Sequence, residues 1–131
     1  MTFTESINYL TLIPLPFMQR KEKPNNHTPG IKYEHKVAAW LKKQGYKNIQ
    51  VTPASGDYGV DITARKGRYR YAIQCKSYSR PVGVSAVQEV YSGIRHYSCD
   101  RAMVVTNSTF TSAAKTLARE NNVILAENIK L

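Results

Sequence analysis

The chain has 131 residues and 42% hydrophobic content, enough for one ordinary domain with its own core and too much for a disordered segment. Lysine and arginine total 19 against 9 aspartates and glutamates, a formal charge of +10; with an isoelectric point near 9.8, this favours a polyanionic partner. Two cysteines, Cys75 and Cys99, exclude a disulfide framework and a cysteine-built zinc site, and fit a reducing, cytoplasmic compartment.

Residues 1–29 read as an arm or linker ahead of a domain over residues 30–131, because Pro14, Pro16, Pro24 and Pro29 and a polar run interrupt any regular pattern. The apolar stretch 7–18 contains two of these prolines and is too short to cross a bilayer, so no membrane span or secretory signal is expected. A first helix is predicted over residues 31–44, with Tyr33, Val37, Trp40 and Leu41 on one apolar face. Lys42 and Lys43 suit its last turn and Gly45 its stop. Residues 48–53 read as a strand. The runs 60–65 and 70–75 flank Lys66-Gly67-Arg68-Tyr69 and form a hairpin, with a type II′ turn at Gly67-Arg68. Ser85-Ala86-Val87-Gln88 has the form of a capping box, starting a second helix that runs to about Tyr97. Residues 101–106 form a strand apolar enough to be buried on both faces. A third helix over 111–121, with Ala113, Ala114, Leu117 and Ala118 inward, and a strand over 123–126 complete the chain. The order α-β-β-β-α-β-α-β, a hairpin followed by β-α-β crossovers, is a mixed-sheet α/β design.

The hairpin register sets Lys66 opposite Tyr69, Ile62 opposite Ile73 and Asp61 opposite Gln74. Alternation then turns Ile62, Tyr71 and Ile73 to one face and Asp61, Gln74 and Lys76 to the other. A solvated sheet face gives the same alternation, but the residue types add chemistry. Asp61 is a hard oxygen ligand, Gln74 offers a carbonyl oxygen beside it, and Lys76 can hold a water or offset negative charge. Those are the parts of a site that activates water on a divalent metal against a phosphodiester. Gly56 and Gly59 in the preceding loop permit close approach of a ligand. Glu34, in the first turn of its helix, suits either the helix dipole or such a site, and Gln88 either caps its helix or reaches the site. His35, Glu89 and His96 read as surface residues. Arg65, Lys66, Arg68, Arg70 and Arg80, interleaved with tyrosines 58, 69, 71 and 78, read as phosphate contacts near Lys76.

Several segments together are recognisable: Ser-Gly-Asp-Tyr-Gly-Val-Asp-Ile ending at Ile62, Ile73-Gln74-Cys75-Lys76, Pro81-Val82-Gly83 and Val87-Gln88-Glu89-Val90. With Val104-Val105-Thr106-Asn107, Phe110-Thr111 and Ala113-Ala114, in this order, they resemble the Mrr-type catalytic domain of the PD-(D/E)xK nuclease superfamily, best known from type IV restriction endonucleases. The resemblance covers about residues 30–131. It implies a restriction-endonuclease-like fold, a central mixed sheet flanked by helices, and DNA cleavage dependent on Mg²⁺, with Mn²⁺ as a substitute. By position, Asp61 matches the family's metal-binding aspartate, Lys76 the catalytic lysine, and Glu34 the acidic residue of the first helix, acting directly or through water. Gln74 stands where many superfamily members carry Glu and this branch commonly has Gln; the lost charge should weaken metal affinity. The backbone carbonyl of Cys75 is the implied further metal ligand.

The resemblance leads to an endonuclease acting in restriction-type defence against foreign or modified DNA. A Holliday-junction or other structure-specific nuclease on the same fold is the alternative, because the chain has no room for a separate reader of modified DNA. A third reading is a catalytically silent DNA-binding module. Cutting both strands needs two sites, so a homodimer or a transient pairing is expected.

Overall fold

The computed structural model describes residues 29–53 and 58–131. The predicted arm before Pro29, and Gly56 of the glycine-rich loop, lie outside the described residues. The elements are α1 (Pro29–Lys43), β1 (Lys47–Val51), β2 (Ile62–Lys66), β3 (Tyr69–Lys76), α2 (Val84–Gly93), β4 (Arg101–Thr106), α3 (Ser112–Glu120) and β5 (Val123–Ala126), the order the sequence predicts. They form a five-stranded mixed sheet in the order β1-β2-β3-β4-β5. The first three strands are antiparallel, and β3, β4 and β5 are parallel.

Each face of the sheet has its own apolar layer. Tyr33, Val37 and Leu41 of α1 bury against Ile62, Ala64, Ile73, Met103 and Val105. Val87 and Val90 of α2 and Ala114 and Ala118 of α3 bury against Val60, Ala72 and Val104 on the opposite face. Strand β4 feeds both layers, and every residue of it after Arg101 is buried, as its unbroken apolar run requires. Thr111 caps α3 by accepting the Ala114 N–H at 3.1 Å.

The hairpin has the predicted register, Lys66 facing Tyr69 and Ile62 facing Ile73. Gly67 has φ +64°, as the first position of a II′ turn demands. The second helix differs from expectation at both ends. It begins at Val84 behind Gly83, which provides no side-chain cap, so the Ser85–Gln88 capping box does not form. It stops at Gly93 rather than Tyr97: the Ile94 N–H bonds the Tyr91 carbonyl three residues back, and looser turns carry the chain on to Ser98, left-handed at φ +52°, where the Cys99 N–H returns to the Ile94 carbonyl.

The connections give the sheet two chemically separate ends. Strands β3, β4 and β5 finish at one end, where α1, α2 and α3 begin. The side chain of Tyr33 donates to the Ile129 carbonyl at 2.8 Å, fixing the start of α1 over the strand termini. The other end holds the β2–β3 turn, the start of β4 and the last turns of the helices.

Candidate active site

Asp61 is the point at which β2 leaves its ladder. Its N–H donates to the Ile73 carbonyl at 2.8 Å, and its Oδ2 accepts the Cys75 N–H at 2.8 Å. A carboxylate thus replaces the backbone partner that a continued strand would have supplied, which is why β2 starts at Ile62 and not at Val60. Within a strand the N–H and C=O of one residue point to the same side. The Cys75 carbonyl is therefore turned toward the Asp61 side of β3. Burial pushes the Cys75 thiol well up, and the nearby carboxylates of Asp61 and Glu34 add to that rise, so both acids converge on this strand end. The sequence pairing places Asp61 on the face of Gln74 and Lys76; in the structure its carboxylate instead lies along the strand edge.

Gln74 and Lys76 face α2, where they meet Glu89. The Gln74 side chain is buried, and its Nε2 donates to the Gly59 carbonyl at 3.1 Å and to Glu89 Oε1 at 3.0 Å. The same Glu89 oxygen lies 3.6 Å from Lys76 Nζ. Two acceptors around one end of the amide fix its orientation, because the reverse flip would set oxygen against oxygen. Gln74 Oε1 is left buried without a hydrogen-bond partner. An unmet buried carbonyl costs about 1–3 kcal/mol, and a hard cation is a group that satisfies it. Asp61, Gln74 Oε1 and the Cys75 carbonyl make an all-oxygen donor set of the kind Mg²⁺ accepts. Among the described residues no three His, Cys, Asp or Glu side chains gather into a metal cage, so a metal here would depend on the amide and backbone oxygens.

Glu89 is exposed, as predicted for the helix surface, but its contact with Gln74 and Lys76 was not predicted. The available signal was a pair of glycines. A Cβ on Gly59 would lie 2.6 Å from the Glu89 carbonyl oxygen, and one on Gly93 would lie 2.5 Å from the Tyr58 carbonyl oxygen. Both positions must be bare for α2 to press onto residues 58–60 and bring Glu89 to Gln74. Gln88 points outward, exposed, and has no described contact with Gln74 or Lys76. Three lysines also went unnoticed: Lys32, Lys36 and Lys130 line a cleft of about 280 Å³ together with Ser77 and Asn107, just past the end of β3.

Of the five basic residues expected near the site, only Arg80 is there, with its guanidinium 4.9 Å from the centre of the Tyr78 ring, which also lies 5.7 Å from Lys76 Nζ. Arg65, Lys66, Arg68 and Arg70 sit at the hairpin end, because the strands that link them to Asp61 and Lys76 run the length of the sheet. Along β3, Arg70 and Lys76 are about 20 Å apart. The Arg70 guanidinium is moreover committed to the Tyr97 carbonyl at 3.3 Å.

A solved structure titled as a protein of unknown function, AF1548, is similar to the chain with a TM-score of 0.59 and 22% identity. The match covers 72% of this chain and 55% of that one, and it supports the fold alone. No curated protein matches. No helix among the described residues is long and apolar enough to cross a membrane. The family model Mrr_cat, described as a restriction endonuclease, matches residues 26–131. That span carries the whole sheet, its three helices and the Asp61–Gln74–Lys76 strand end, and the chain belongs to this restriction endonuclease family.

Proposed function

We propose that the protein is a divalent-metal-dependent DNA endonuclease of restriction type, hydrolysing phosphodiester bonds at the Asp61 end of the sheet. The observation that carries this reading is the buried, unpartnered Oε1 of Gln74, held by Glu89 beside Lys76 in a chain of the restriction endonuclease family. Asp61, Gln74 Oε1 and the Cys75 carbonyl would hold the metal, with Glu34 contributing directly or through water. The metal supplies Lewis acidity to the phosphate and lowers the pKa of a bound water.

The chain's own residues do the rest. The Lys76 ammonium offsets the negative charge that grows on the phosphate and orients the attacking water. Glu89 acts as a positioning residue: one oxygen restrains both the Gln74 amide and the Lys76 ammonium, so the ligand and the countercharge are set together. Lys32, Lys36, Lys130 and Arg80 take backbone phosphates of the DNA beside the site. Cutting both strands uses two copies of the site, through a homodimer or a transient pair.

Cleavage of supercoiled plasmid in Mg²⁺ or Mn²⁺, with EDTA and Lys76→Ala controls, tests the reading. Nicked or linear product that disappears in both controls supports it. Product unaffected by Lys76→Ala, or no product from plain, methylated or branched DNA with either metal, would falsify it.

A further inference from the structure

The hairpin end of the sheet carries a charge arrangement that folding alone does not favour. Lys47 on β1 pairs with Arg65 on β2, and Arg65 pairs in turn with Arg70 on β3. Three cations thus lie directly opposite one another in a row across three strands. Like charges in that position destabilise a sheet. Lys47 and Arg65 are exposed, on the sheet face covered by α2 and α3 only over β3, β4 and β5.

The neighbouring cations are placed just as unusually. Lys66 precedes the turn and Arg68 lies in it, both exposed, with Lys66 Nζ 4.9 Å from the centre of the Tyr46 ring. The guanidiniums of Arg68 and Arg101 lie 5.5 Å and 4.0 Å from the centre of one shared ring, Tyr69. Rings hold these cations in place without neutralising them. The ion pairs among the described residues, Lys76–Glu89 and Lys115–Glu127, are both at the other end. Asp100 is the nearby carboxylate; its Oδ2 accepts the backbone N–H of Arg70 at 2.8 Å, and it forms no ion pair with a cation among the described residues. An open groove of about 1070 Å³ continues from Arg101 between the ends of α2 and α3, and Arg95 and Arg119 line it as well. Lysines and arginines in the last turn of a helix are accounted for by the helix dipole. Lys47, Arg65, Lys66, Arg68 and Arg101 are on strands and a turn, and have no such account.

From this we infer that the hairpin end is a second DNA-binding surface, separate from the nuclease site, which takes the phosphate backbone without reading sequence. The cation row is stabilised when phosphates lie across it, and the ring-held side chains are fixed in advance of binding. The surface would hold flanking or neighbouring duplex while the other end acts. This inference uses membership in a nuclease family only to choose DNA as the polyanion; it does not require that the proposed cleavage occur.

The test is binding of a fluorescent duplex of about two helical turns, in EDTA, across a salt series. The wild-type protein is compared with Arg65→Thr/Lys66→Ala/Arg68→Ala and with Lys115→Ala, which removes a cation at the other end of the sheet, outside the nuclease site. The triple variant is expected to lose at least about tenfold in affinity at low salt, and its slope of log affinity against log salt should fall by up to ~2.7. Lys115→Ala should stay within about threefold of wild type. Arg65→Thr alone gives a readout independent of DNA: relief of the cation row should raise the melting temperature by roughly 2–4 °C at low salt, with the gain lost in high salt. An unchanged affinity and slope in the triple variant overturns the inference. So does an effect confined to vesicles containing anionic lipid, which would make the surface a membrane contact. Because every reading is taken in EDTA, a failure of cleavage leaves this test intact, and a failure here leaves the cleavage test intact.

Discussion

The two ends of the sheet solve opposite electrostatic problems with the same strands. Around Gln74, at the Asp61 end, polar groups are partly buried and mutually committed: one Glu89 oxygen serves both Gln74 and Lys76, and one Asp61 oxygen replaces a backbone partner. At the hairpin end, cations are numerous and exposed, and tyrosine rings hold them where carboxylates would otherwise sit. The first arrangement commits its groups to one another, as the proposed chemistry on a phosphate requires. The second leaves charge available, as contact with a phosphate backbone requires. A net charge of +10 conceals this division, because composition says nothing of where the charge lies.

Substitutions at the Asp61 end should separate the two most strongly. Lys76→Ala removes the countercharge and is expected to lower the single-turnover cleavage rate by about 10²–10³-fold, with DNA affinity nearly unchanged. Glu89→Ala should lower the rate by about 10–100-fold and raise the Mg²⁺ concentration needed for half-maximal rate. Glu89→Gln keeps an acceptor for Gln74 Nε2 but loses the ion pair, so it should recover part of that metal requirement; equal defects in both variants would refute the positioning role.

Smaller effects concern stability. Gly93→Ala drives a Cβ into the Tyr58 carbonyl oxygen and should cost about 3 kcal/mol in denaturant unfolding. Cleavage should suffer beyond that loss, since the displaced helix carries Glu89. The hairpin end supplies a titration. Burial pushes the Cys99 thiol up to about 11, outweighing the opposing pull of Arg70. The unfolded chain ionises this thiol first, from about pH 9, so folding stability should fall between about pH 9 and 11. The loss should be about 2 kcal/mol, and Cys99→Ala should flatten that part of the profile.

The fold was legible because its signals are local and repeated. The apolar face of Tyr33, Val37 and Leu41, the unbroken 101–106 run and the Gly67 turn each specify one element, and the turn then fixes the register of β2 on β3. The same register brings Gln74 and Lys76 to one face, but it sets Asp61 there too, whereas the Asp61 carboxylate turns to the Cys75 N–H along the strand. What required the tertiary structure was everything addressed across elements. Glu89 reaches Gln74 only because two bare glycines let α2 close on the loop, and no periodicity in α2 marks it. Arg65, Lys66, Arg68 and Arg70 are adjacent to the site in sequence but remote in space, because a strand carries its neighbours away at about 3.3 Å per residue. The capping box failed because the Gly83 turn starts α2 before Ser85 can serve as its cap.

The most direct measurement of the division between ends takes cleavage rate at saturating protein and affinity in EDTA on the same three proteins: wild type, Lys76→Ala, and Arg65→Thr/Lys66→Ala/Arg68→Ala. The account predicts that Lys76→Ala loses rate and keeps affinity, while the triple variant loses affinity and keeps the saturated rate. A triple variant whose saturated rate collapses with its affinity, or a Lys76→Ala protein that still cleaves at the wild-type rate, would contradict it.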